Sequence, residues 1–490
     1  LLRWLRNRLR IPQPGTGETI FQKLRALKAR YDAAATTDEN RRHWQHADDL
    51  SANAANSCEV RKILRMRCRY EIANNSYARG LVLTLANDVV GTGPRLQMLT
   101  TNPDANRKIE QEFSKWSKAV RLAEKLRTLR MARVADGESF AILTSNPEIQ
   151  GEIKLDLKLV EAEQVTTPDL KTVRENEIDG IKLDEFGNPV EYHVLKDHPG
   201  GLFGALTLKF DRIPVRDMIH YFRVDRPGQA RGIPDITPAL PLFAQLRRYT
   251  LAVLTAAEIA ALPGGILYTD APANGESEAV EPMDLISLER GMLMTMPGGW
   301  KMSQLQAQFP TTTYGEFKRE ILGEIGRALL LPVNILTGDS SRHNYASGRL
   351  DHQTYFKSIR VEQSHLEMVV MDRILTAWLT EARHIPDLLP NQIDFSESLL
   401  RCWMWDGTSH VDPLKEANAQ AVRLASYTTT LADEYARMGL DWETLLRQRA
   451  KELTLMTELG LTESDLHLVD DEESENESQN HSEETTPNAA

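Results

Sequence analysis

With 490 residues, 41% hydrophobic and 26% charged, the chain is long enough for two to four folding units and ordinary in make-up for a soluble globular protein. The net charge of −12 is unevenly spread: residues 463–490 hold ten acids and no Lys or Arg, so the remainder carries only −2. No uncharged apolar run reaches the roughly 18 residues a bilayer-spanning helix needs, because Glu258 breaks the best one, 251–262.

The N-terminal stretch is basic. Arg3, Arg6, Arg8, Arg10, Lys23, Arg25, Lys28 and Arg30 face only Glu18, and neither an apolar signal core nor a cleavage site follows. A solvated helix face and a nucleic-acid or partner contact stay equally open for it. Over 58–90 the spacing of Val60, Ile63, Leu64, Ile72, Leu81, Leu85 and Val89 predicts a helix, stopped by Gly91-Thr92-Gly93-Pro94. Arg61, Arg65 and Arg69 recur every fourth residue and share one face of it. A second helix is expected over 106–133.

The period then falls to two. Ile153, Leu155, Leu157 and Leu159 alternate with polar residues, a half-buried strand. A hairpin is expected around Phe186-Gly187-Asn188-Pro189, and another strand over 215–222. A Pro/Gly-rich joint, 226–234, precedes an apolar rod over 238–262, whose alanines allow close helix approach and which cannot face water on all sides. Short strands and loops fill 264–313. Helix resumes over 314–331, where Phe317, Ile321, Ile325 and Leu329 recur every four residues. A polar stretch, 337–349, leads into a long helix that ends before Pro386. Asp412 caps further helices, which run to about residue 459. The tail after 463 cannot build a core and is expected to be disordered and dispensable for folding.

Enzyme motifs are sparse. There is no phosphate-cradling GxxxxGK[ST], no HExxH, and Gly91-Thr92-Gly93 follows a helix rather than a strand. Cys58, Cys68 and Cys402 form no CxxC pair, which suits a reducing compartment and argues against structural zinc. No metal, cofactor or catalytic residue is therefore expected. One alternative is a serine hydrolase around Ser340 and His343, although that loop lacks a third, orienting group. Another is a DNA-binding scaffold indifferent to sequence, using the basic N-terminus, since the nearly neutral body shows no base-reading motif.

Six segments in order resemble the lambda-family bacteriophage portal proteins, the head-tail connectors. They are Ala29-Arg30-Tyr31-Asp32-Ala33-Ala34 with His43-Trp44; Leu64-Arg65-Met66-Arg67-Cys68-Arg69-Tyr70-Glu71; Asn87-Asp88-Val89-Val90-Gly91-Thr92-Gly93-Pro94; Ile219-His220-Tyr221-Phe222 running into Arg226 to Pro234; Thr337-Gly338-Asp339-Ser340-Ser341 with Asn344-Tyr345-Ala346-Ser347-Gly348-Arg349; and Val411-Asp412-Pro413-Leu414-Lys415-Glu416-Ala417. The chain departs from the family pattern at Ala346 and Gly348.

The resemblance implies an α+β portal fold: a helical wing with a small β-sheet, stem helices, an α/β clip and a helical crown. On that reading 1–57 is a basic N-terminal segment, 58–234 wing, 235–263 the first stem helix, 264–313 clip and 314–331 the second stem helix. Residues 332–386 hold the tunnel loop and long wing helix, 387–462 the crown helices, and 463–490 the acidic tail. Ser340, Ser341, Arg342, His343, Asn344 and Tyr345 would face the DNA channel. Ala252, Ala256, Ala260, Phe317, Ile321 and Ile325 would pack between subunits. The implied partners are further copies in a ring of twelve, double-stranded DNA bound without regard to sequence, the terminase motor, capsid and scaffold proteins and a head-tail adaptor, with no membrane. The implied place is one capsid vertex of the virion, and the host cytoplasm during assembly.

Overall fold

The computed structural model describes residues 34–167, 176–201, 209–261, 265–269, 300–304, 313–389, 400–407 and 413–461. The chain divides into two units, 1–55 and 56–490. In the first, the described residues are turns and one helical turn, Ala52–Ala55, with Trp44 edge-on to His43 and no buried side chain. The basic segment through residue 30, Asp412 and the acidic tail lie outside the described residues.

The second unit opens with α1 (Cys58–Asn74) and α2 (Ser76–Val90). The single helix expected over 58–90 is thus broken at Asn75, whose φ and ψ are −128° and 118°. Its N–H still donates to Glu71 O at 2.8 Å, and its side chain accepts from Tyr77 N and Ala78 N. One residue ends a helix and caps the next. Strand β1 (Arg95–Met98) follows. The helix expected over 106–133 is likewise two: α3 (Pro103–Ala119), begun by an Asn102 cap, and α4 (Leu122–Asp136), set off by Arg121 in the left-handed region at φ 52°.

Strands β2 (Glu138–Ser145), β3 (Leu155–Val160), β4 (Glu177–Ile178), β5 (Ile181–Leu183), β6 (Pro189–Leu195), β7 (Phe210–Pro214) and β8 (Met218–Phe222) come next. They make two antiparallel sheets, β3-β2-β8 and β4-β5-β6-β7. The expected hairpin is β5–β6, where Asp184 accepts from Phe186 N and Asn188 N while Gly187 takes φ 84°. Successive side chains of a strand point to opposite faces, so β2 serves two cores. Ala141 joins Ile219, Phe113, Leu126, Ile325, Tyr355 and Trp378 in the main core, and Phe140 joins Met218, Tyr192 and Val194 in a smaller one.

The rod is α5 (Leu240–Ala261). Of the insert 264–313, the described parts are chiefly β9 (Gly265–Thr269) and β10 (Trp300–Gln304), paired antiparallel. Then come α6 (Tyr314–Ala328), α7 (Val333–Thr337), α8 (Tyr345–Leu366), a wider π turn over Glu367–Met371, and α9 (Asp372–Ala382). The region 387–462, expected as helices, begins differently: β11 (Arg401–Met404) pairs antiparallel with β1, Arg95 opposite Met404. Only after it come α10 (Pro413–Ala425), α11 (Leu431–Arg437) and α12 (Trp442–Glu458). Helices and small sheets make the fold α+β.

Candidate functional site

The polar stretch expected over 337–349 is shorter as a loop than its composition suggests. Thr337 ends α7, and Tyr345 already begins α8, so the loop proper is 338–344. Asn344 is no free loop residue: its side chain accepts from Ser347 N at 2.8 Å and starts the helix. Ser340, Ser341 and Arg342 are exposed, and Asp339 accepts from Ser341 N at 2.9 Å. Those hydrogen bonds from Ser341 hold the Asp339 carboxyl below its usual value, with Arg319 and Arg342 adding to the effect. His343 is only half exposed, its Nε2 3.7 Å from an Asp351 oxygen. Among the described side chains of 338–354 none is buried, and Tyr355 is the first that is. The loop is anchored at both ends, through Leu336 of α7, buried two residues before it, and through His352 of α8, whose Nε2 lies 3.0 Å from Asn334 Nδ2 of α7.

That anchorage is chemical as well as apolar. Tyr355 Oη donates to Asp88 at 2.6 Å, and Gln363 Nε2 donates to Val89 O at 3.1 Å, both on α2. Glu362 takes a bidentate pair from Arg133 of α4, at 2.6 and 3.1 Å, and Arg133 also donates to Tyr221 Oη at 2.9 Å. Burial works against the Arg133 charge, but Tyr221, Asp235 and Glu362 outweigh it and hold its pKa above the usual value. Segments that resemble portal motifs thus close on one another: Asp88-Val89, Tyr221 and the helix after the loop.

A second buried group fixes the 226–234 joint. Arg231 is 1% exposed and donates from Nε and Nη2 to Glu138 at 2.7–3.0 Å, and from Nη1 to Val165 O at 3.1 Å. Arg65 also pairs with Glu138, and Arg61 with Asp179. His220 Nε2 lies 3.0 Å from the other Glu138 oxygen, its ring stacked between Phe140 and Phe222. Burial alone would raise the Glu138 carboxyl, but Arg231, His220 and Arg65 hold it well below the usual range. The chain can pass this close because a Cβ on Gly232 would sit 2.0 Å from Gly137 O, and Gly137 itself takes φ 88°. In the sequence, the spacing of Arg61 and Arg65 was a signal for this group, but nothing there named Glu138 or Arg231 as partners.

The rod residues divide. Ala252 is exposed and Ala256 half-buried on α5, beside Leu251 at 57% and Leu254 at 54% exposure, and Ala260 lies further along the helix. Phe317 is exposed and packs on Tyr249 at 4.4 Å. Ile321 and Ile325, expected between subunits, are instead buried in this chain's own core, because α6 turns that face onto α5 and α7.

Among the described residues no hydrogen bond joins the Ser340 hydroxyl to the His343 ring, whose Nδ1 is buried without a partner. The Gly91-Thr92-Gly93 turn is occupied by Asp406, which accepts from Thr92 N at 2.6 Å and from Thr92 Oγ1 at 2.7 Å. Glu161, Glu163 and His198 bring ligand-type atoms within 4.8 Å of one another, but Arg69 supplies the counter-charge, donating to Glu163 at 3.0 Å. All three cysteines are free thiols. No helix of the described residues is long and apolar enough to cross a membrane.

Residues 37–363, two-thirds of the chain, match the family described as "Phage portal protein, lambda family". The chain belongs to that family. Among relatives, this portal chain is 26% identical over 431 residues to the "Probable portal protein" of Halomonas phage phiHAP-1, covering 81% of each. It is 20% identical over 434 residues to the "Portal protein" of Escherichia phage N15, covering 78% of this chain and 82% of the other. Among solved structures, a chain of the neck of an empty gene transfer agent particle aligns with TM-score 0.44 at 16% identity, covering 76% of this chain and 93% of that one. A chain of a native gene transfer agent virion aligns with TM-score 0.39 at 13% identity, covering 80% and 94%. Both structural likenesses are remote.

Proposed function

We propose that this portal chain assembles into a ring of twelve copies at one capsid vertex, with double-stranded DNA passing through the centre during packaging and ejection. The family match over 37–363 carries this reading. The terminase motor, the head-tail adaptor, and capsid and scaffold proteins would dock on the ring. It would form in the host cytoplasm, remain in the virion, and hydrolyse no ATP itself. In this reading 58–234 is wing, 235–263 and 314–331 stem, 264–313 clip and 387–462 crown. Two features support it: α5 leaves Leu251 and Leu254 open to a neighbour, and the loop between α7 and α8 presents an exposed Arg342. An arginine fork on such a loop can meet phosphate without reading bases.

Native mass spectrometry with negative-stain imaging should show a ring, and monomers under every assembly condition would overturn the reading. Arg342→Ala with His343→Ala should leave rings intact and lower the DNA packaged or retained per head. Normal filling would remove the loop from the channel's work.

A further inference from the structure

Between β1, α3 and the first half of α12 lies a cleft of about 1210 Å³. Its lining has an apolar part in Leu99, 53% exposed, above the buried Leu96, Met98 and Phe113, and a basic part in Arg95, Arg107, Lys115, Lys118, Arg447 and Lys451. Three carboxylates share the lining, each already engaged. Glu443 takes Arg447 at 2.6 Å, Asp441 caps α12 through Glu443 N and Thr444 N, and Glu110 accepts from Met98 N at 2.7 Å. Burial, with Asp441 and Glu443 nearby, pushes Glu110 up to about 7, so near neutral pH it carries only part of a charge. Lys118 and Lys451 are exposed and have no ion-pair partner among the described residues.

We infer that this cleft is a docking site for the chain's own acidic tail. Leu466, Leu468 and Val469 would enter over the apolar part, and Asp470 to Glu477 would lie along Lys118 and Lys451. The tail has the matching order, a short apolar run followed by six acids within eight residues and no Lys or Arg. It also has the reach. From Lys451 to the last described residue, Leu461, α12 and its end lead away by roughly 15 Å. An extended chain covers that distance back in about five residues, which brings residue 466 to the cleft. The chain's other basic stretch, residues 3–30, is the rival partner for these acids.

The test is zero-length carbodiimide cross-linking of the full chain, read by mass spectrometry. Lys118 and Lys451 should link to acids within 470–477, and the links should disappear near 1 M salt, where exposed charges are screened within about 3 Å. With Arg107→Glu and Lys115→Glu, which leave both linking lysines in place, link yield should fall roughly tenfold, the loss two exposed charge contacts imply. Leu466→Ser with Leu468→Ser should weaken the links as well. Tail acids linking mainly to Lys23 and Lys28, or link yields unchanged by the charge reversal, would overturn the assignment.

Discussion

Two arginines and an imidazole surround the two oxygens of Glu138, so a carboxyl that burial would otherwise protonate stays ionised. Removing Arg231 strips the buried Glu138 charge of its strongest partner and leaves the Val165 and Ala162 carbonyls without this donor. Arg231→Met should therefore cost about 3–5 kcal/mol in urea denaturation, although its new side chain is apolar and fits a buried position. The pH dependence has a definite sign. The folded carboxyl titrates well below an unfolded glutamate, so its contribution is complete above pH ~4.3 and is lost as pH falls through the folded value. Melting curves of the parent chain and Glu138→Gln should converge as pH falls below about 4. Parallel curves would show that Glu138 is not the group titrating. The sequence hid this site for a physical reason. Arg231 stands in a Pro/Gly-rich joint that reads as exposed, and its partner is 93 residues away. Only the close approach of Gly137 and Gly232, which no spacing in the sequence announces, brings them together.

Between elements, the same logic runs in reverse at Glu110, where α3 faces the N-terminus of α12. Its carboxyl is raised to about 7, so between pH ~4.3 and 7 the folded chain binds the extra proton and stability falls as pH rises. Glu110→Gln should flatten that part of the melting profile, and an unaltered slope would refute the assignment. At the α1–α2 break, Asn75→Ala should cost ~1 kcal/mol through the lost cap, measured by denaturant titration. Helices and strands themselves were legible, since periods of 3.6 and 2 survive in Leu81, Leu85 and Val89 and in Leu155, Leu157 and Leu159. Breaks were not, because apolar spacing continues across Asn75 and Arg121, and a backbone turn needs no change of pattern. The π turn shows this most clearly. Residues five apart on an α-helix diverge by roughly 140°. The wider turn lets Glu367 accept from Trp405 Nε1 while Asp372 accepts from Trp403 Nε1 at 3.0 Å and Arg401 Nε at 2.8 Å, gripping one strand.

At the scale of the molecule, the order of segments was readable and their pairing was not. The portal motifs gave the family, but nothing in Arg95 to Met98 announced a partner strand at Arg401 to Met404. Composition likewise showed that the rod cannot face water, without showing which side the subunit itself covers. Since Leu251 and Leu254 remain more than half exposed, Leu251→Glu with Leu254→Glu should change subunit stability by less than about 0.5 kcal/mol each. The same pair should abolish the ring in native mass spectra. Rings that persist would place the subunit contact elsewhere.

The β1–β11 pairing also sets a timetable for synthesis. A ribosome adding roughly 5–20 residues per second needs on the order of 15–60 s for the roughly 300 residues between the two strands. Throughout that interval β1 is an open edge, able to template pairing with another nascent chain on the same message. Pulse proteolysis of stalled nascent chains should find 95–98 susceptible in chains halted at residue 389 and protected once residue 407 has cleared the exit tunnel.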